Sequence, residues 1–196
     1  MLITDGTGAG NVAKVTRDNR VAVDVGSGIK EATRNGSAYS VTMDTAVHPT
    51  VTVTTGGEYV FHMQNASGSG KNIIIEEVSV CTDTANTEVW LITGHSGTPG
   101  AATAVKPRNL NGSFAGTVSA AHATSSVWAD GSGGGLSGLT ASGATLSSLR
   151  LAAGMTIIES GGRIMIPQNE TLTIKADSPA STVEVSVRVT FYEEPV

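Results

Sequence analysis

Residues 182–191 read Thr-Val-Glu-Val-Ser-Val-Arg-Val-Thr-Phe, with an apolar side chain at every odd position and a polar one at every even position. Successive side chains of a β-strand point to opposite faces, so this period of two sets one face on a core and the other outward. On a helix the same valines would be scattered around the circumference. The pattern recurs. Residues 50–54 alternate Thr and Val, Gly56-Gly57 offers a two-residue turn, and residues 59–63 answer it, which predicts a hairpin. Ile73-Ile74-Ile75 leads into residues 78–81 across Glu76-Glu77, an apolar run that predicts one long strand with a bulge or bend. Further strands are expected over residues 88–92, 155–158, 163–166 and 171–175, with Gly161-Gly162 as a second hairpin turn. Short strands, Gly turns (24 Gly in 196 residues) and almost no helical periodicity predict an all-β, antiparallel, jelly-roll-like β-sandwich.

Two regions depart from that pattern. Residues 1–36 form an expected N-terminal arm. Its Gly-rich opening, Asp5-Gly6-Thr7-Gly8-Ala9-Gly10, cannot fill a core, and short β-type runs at 12–15 and 21–25 flank a polar turn. Ser27 is placed to cap a short helix through Ile29 to Arg34, with Asn35-Gly36 as its stop. This arm holds too few apolar residues to fold alone and is expected on another surface, of its own body or of a neighbour. Residues 37–196 form the β-body. Within it, residues 107–154 are a Gly/Ser-rich excursion with one or two irregular strands. Trp128 lies in that excursion and is a candidate inter-subunit anchor, because tryptophan is enriched at such contacts. Trp90 and Cys81, both in strand patterns, are expected in the core, and Glu193 and Glu194 in solvent.

Charge narrows the function classes. Net charge is −5, and the 12 Lys and Arg are scattered. A nucleic-acid groove needs concentrated positive charge to release counterions, so no nucleic-acid partner is expected. No apolar stretch approaches the roughly 18 residues of a membrane span. The first residues carry no basic and apolar leader pattern, so synthesis in a cytoplasm is expected. With one cysteine, neither an internal disulfide nor a Cys-based zinc site is expected.

The motifs that could carry chemistry lack the context that chemistry needs. Gly133 to Gly138 satisfies G-x-G-x-x-G as a string, but no strand feeds it and no helix follows. Gly68-Ser69-Gly70-Lys71-Asn72 lacks the Ser or Thr that a P-loop sets on magnesium. Gly94-His95-Ser96-Gly97 resembles part of a nucleophile elbow, with Thr98 in the final glycine position. His48, His62, His95 and His122 are isolated, none at the spacing of a metal pair. The expectation is a non-enzymatic chain with no catalytic residue, metal or cofactor.

Two stretches carry a family resemblance. The opening, Ile3 to Gly10 with Ala13-Lys14-Val15 and Asn19-Arg20-Val21, resembles the N-terminus of small virion structural proteins of tailed bacteriophages. The ending, Val189-Thr190-Phe191-Tyr192-Glu193-Glu194-Pro195, is similar to theirs. The resemblance implies a capsid decoration or cement protein made in the host bacterial cytoplasm and located in the virion. It would be a homo-oligomer, expected as a trimer, with the major capsid protein or another virion protein as partner. On this reading Asp5, Gly6, Gly8 and Gly10 allow close backbone approach, and Lys14, Arg17 and Arg20 supply polar contacts. The alternative is a receptor- or glycan-binding module of a tail or fibre. Its signature would be exposed aromatic clusters, against an aromatic content of 4%.

Overall fold

The structure, a computed structural model, describes residues 28–42, 51–53, 56–100, 102–114, 116, 119–122, 127–130, 136–179 and 183–196. Among the described residues one α-helix, α1 (Gly28–Arg34), precedes twelve strands. These are β1 (Ala38–Thr42), β2 (Val51–Val53), β3 (Glu58–Gln64), β4 (Lys71–Thr82), β5 (Thr87–Thr93), β6 (Ala102–Ala104) and β7 (Arg108–Asn109). After them come β8 (Val127–Asp130), β9 (Ala144–Leu151), β10 (Gly154–Ile166), β11 (Thr171–Asp177) and β12 (Val183–Pro195). The chain is therefore all-β, as its periodicity predicts.

The strands form two antiparallel sheets. One has the order β10-β4-β12-β1-β7, with β2 also on β12; the other runs β6-β8-β3-β11-β5-β9. Both sheets feed a single core. Val41, Val78, Val187 and Phe191 come from the first, and Phe61, Met63, Leu91, Leu172 and Ile174 from the second. Fully burying each such side chain contributes roughly 1.5–3 kcal/mol, which makes this shared layer the main source of stability. The alternation in β12 holds residue by residue, with Val183, Val185, Val187, Val189 and Phe191 all buried. Phe191 also stacks on Tyr39 of β1, with ring centroids 5.6 Å apart.

The break at Glu76-Glu77 is accommodated as expected of a bulge. β4 is one strand, and its register against β12 shifts between Thr190 and Phe191. One extra residue in β4 thus re-aligns Ile73 and Ile75 with the core after Val78 and Val80.

Both predicted glycine hairpins are corrected. β2 pairs with β12 and β3 with β11 and β8, so the segment through Gly56-Gly57 crosses between the sheets. Alternation fixes which residues face the core, but not which strand becomes the partner. Gly161 and Gly162 do have left-handed φ values of 55° and 74°. The strand nevertheless stays on β4 on both sides of them, pairing at Glu159 and again from Ile164. Residues 160–163 form a bulge, fastened by the buried Ser160 hydroxyl donating to the Ile75 carbonyl.

The short helix ends as its stop signal predicts, with Gly36 at φ 72° and the Ser37 amide returning to the Ala32 carbonyl. It packs on the outside of the first sheet, where Ala32 joins Ala38, Ile74 and Tyr192 in a second apolar cluster flanked by Ile29. The excursion is more regular than its composition predicts, since β9 is an eight-residue strand paired with β5 along its length.

Candidate functional site

Of the residues singled out for interaction, Asp5, Gly6, Gly8, Gly10, Lys14, Arg17 and Arg20 lie outside the described residues. Trp128 falls on β8, opposite His62 of β3. Its backbone is therefore part of the second sheet rather than of an irregular loop.

The densest group of reactive side chains sits on the face of that sheet turned away from the core. Leu172 and Ile174 of β11 point inward, so Thr173 between them points out. His62 stands opposite Thr173, with Nδ1 2.8 Å from the Thr173 hydroxyl. His95, just past β5, places Nε2 3.2 Å from the Tyr59 hydroxyl, and the two rings meet edge to face with centroids 5.2 Å apart. The Thr171 hydroxyl donates to the His95 carbonyl at 2.8 Å.

Two segments, residues 94–100 and 136–143, bond to each other beside His95 and Tyr59. Ser96 and Thr140 exchange backbone hydrogen bonds, as do Gly100 and Ser137. The Leu136 amide donates to the Tyr59 carbonyl at 2.7 Å. The Ser142 hydroxyl donates to the Gly94 carbonyl at 2.8 Å. Gly143 must be glycine here, because a Cβ would collide with the Thr93 carbonyl oxygen and with Nδ1 of His95.

Burial sets the electrostatics. His62 is fully buried, and that burial, helped by the nearby His95, pushes its pKa down to about 4. Burial lowers the pKa of His95 as well. Both imidazoles are neutral at pH 7. A hydroxyl–imidazole pair resembles an activated nucleophile, but neither Thr173 nor His62 has any exposed surface, so no substrate reaches them. Sequence gave little sign of this cluster, because β3 and β5 are joined only through β11.

A buried carboxylate pins the C-terminal strand. The Glu193 side chain is fully buried, its Oε2 2.7 Å from Lys71 Nζ, and its other oxygen accepts from the Ala120 amide. This corrects the expectation of a solvated Glu193; Glu194 is exposed. The carboxylate ties β12 to β4 and to the turn at Ala120–His122.

Two more expectations are corrected. Cys81 is exposed, on the outward face of β4 between Met155 and Ser186. Trp90 is half-buried on the outward face of β5, with Lys175 Nζ 5.3 Å from its ring centroid. In both strands the neighbouring residue took the core position, at Val80 and at Leu91.

Shallow clefts lie around the rim. One of about 460 Å³ is lined by Glu88, Arg150 and Asp177, and one of about 250 Å³ by Gln64, His95 and Glu170. Among the described residues no three His, Cys, Asp or Glu side chains are grouped to hold a metal ion. No helix among the described residues is long and apolar enough to cross a membrane. No family model, curated protein or solved structure matches this chain.

Proposed function

We propose that this chain is a non-enzymatic structural component of a tailed-phage virion, a homotrimeric capsid decoration or cement protein with a jelly-roll body. The observation that carries the reading is the strand order. Taken in chain order, β1, β3, β4, β5, β9, β10, β11 and β12 pair first with eighth, second with seventh, third with sixth and fourth with fifth. That is one long hairpin wrapped into two sheets, the arrangement of a jelly roll. β2, β6, β7 and β8 are additions to it. Jelly rolls recur in viral capsid proteins, and the likeness of both chain ends to phage virion proteins supports the same class.

The surface chemistry favours assembly. Charged residues are 15% of the chain against about 25% in typical domains, and burying unpaired charge between subunits is costly. On this reading the arm around Asp5 to Val25 contacts the shell or a neighbouring protomer, with Lys14, Arg17 and Arg20 as its polar anchors.

The test is reconstitution onto particles. The full chain, added to shells lacking it, should occupy regular positions visible by imaging, and a variant lacking residues 1–25 should stay oligomeric and fail to attach. Attachment only at a tail tip, with saturable binding to a glycan, would replace this reading with the receptor-binding one. Undiminished attachment of the shortened chain would remove the arm's role.

A further inference from the structure

Two apolar features stand at opposite ends of the first sheet, one convex and one concave. The convex one lies beyond β7. Phe114 ends a single 3-10 turn, Gly112–Phe114, and keeps 40% of its surface exposed; Leu110, just after β7, keeps 43%. The turn is tied to the last turn of α1. Asn111 Nδ2 donates to the Thr33 carbonyl at 3.0 Å, and Asn111 Oδ1 accepts from the Ser113 amide at 3.0 Å. The Phe114 amide donates to the Asn111 carbonyl at 2.9 Å. The ring lies across Gly36, where a Cβ would run into it. Phe114 is therefore a fixed aromatic knob, and a group already held in place loses little entropy on docking.

The concave feature lies at the other end, on β10. A groove of about 380 Å³ is lined by Leu146, Ile164, Met165 and Pro167, with Arg163 and Glu170 among its polar residues. Leu146 is 47% exposed and Met165 52%. A groove of this size is at the small end of ligand pockets and has room for one aromatic ring. β10 and β7 are the two end strands of the sheet, four strand spacings or about 19 Å apart, so Phe114 cannot enter the groove of its own copy.

The charges around the two features have opposite surpluses. Beyond β7 the exposed Arg108 joins the Arg34–Glu31 pair, which leaves an excess of positive charge. At the groove Arg163 stands with Glu170, and Glu76 lies beside Gly162, which leaves an excess of negative charge. Exposed apolar patches with polar rims mark protein contacts. Two unlike patches on one chain make a head-to-tail contact, which closes into a ring when the rotation between copies permits.

We propose that the Phe114 knob of one copy seats in the Leu146–Met165 groove of the next, and that this contact closes the trimer. The inference rests on the trimeric reading above and assigns its interface.

Mixing two variants tests it. Phe114→Ser removes the knob and leaves the groove; Met165→Lys blocks the groove and leaves the knob. By light scattering the native chain should be three copies, and each variant alone a single chain of 19.9 kDa. An equimolar mixture keeps one intact contact and should give a two-copy species of about 40 kDa. Unfolded chains could not recombine in this way, so that species also shows that both variants fold. Either variant remaining trimeric would overturn the proposal, as would a mixture that stays single. Dissociation by Met165→Lys alone would mean that β10 meets β10 of the second copy, and would overturn it too. A native chain that is itself single would refute the trimeric reading and this contact with it, whereas a native trimer unmoved by both variants would refute the contact alone.

Discussion

The two outer surfaces of this molecule invert the usual rule for burial. On the second sheet the outward row is polar, with His62, Thr173 and Thr171, yet it is sealed. On the flank of the first sheet the outward row is apolar, with Met155, Ile157 and Met165, yet among the described residues it is open. Side-chain character alone does not decide exposure here. Residues 94–100 and 136–143 bond to each other through backbone hydrogen bonds beside His95, while His62 bonds to Thr173 and His95 to Tyr59. A buried polar layer costs stability unless its groups find partners; here His62 Nδ1 pairs with Thr173 and His95 Nε2 with Tyr59. The apolar flank, conversely, belongs to the end strand of its sheet.

That contrast can be broken in a graded way. The shared core sets the upper end: Phe61→Ala should lower unfolding free energy by about 3–5 kcal/mol, read from the denaturant midpoint. A loss under about 1 kcal/mol would mean that the sheets do not share one core. The sealed layer should respond to acid. The folded state holds His62 neutral down to about pH 4, whereas the unfolded imidazole takes its proton near 6.5. His62 thus contributes stability that is fully present above pH 6.5 and is lost as pH falls toward 4, on the order of 3 kcal/mol. Burial is the larger cause of that shift and the neighbouring His95 the smaller. His62→Gln should flatten the stability–pH curve between 6.5 and 4; parallel curves for both proteins would contradict the sealed site.

Smaller effects test the cover and the flank. Gly143→Ala should cost about 1–3 kcal/mol, because the added methyl has no room beside Thr93 and His95, and should speed amide exchange in residues 136–142 first. Met155→Ser, on the outward row, should change stability by no more than about 0.5 kcal/mol. A larger loss there would show that the outward row is covered as firmly as the histidines are.

How far the sequence alone reaches differs between these regions for the same reason. Strict alternation in residues 182–191 identified β12 and its core face, and Asn35-Gly36 marked the end of α1, because both signals are local. The sheet partners of residues 51–53 and 58–64 were not legible, since pairing with β12 and β11 spans more than a hundred residues. The burial of Glu193 depends on Lys71 and Ala120, each distant in the chain, and no local pattern announces it. In the strand carrying Cys81 the Glu76–Glu77 bulge resets the parity, so an apolar run did not reveal which of its residues faces outward.

The central claim is that these low-charge sheets serve assembly with copies of the same chain. Light scattering on the purified full-length protein tests it most directly. Three copies, about 60 kDa against 19.9 kDa for one chain, are predicted and should persist on dilution. A stable single chain at every concentration would contradict it.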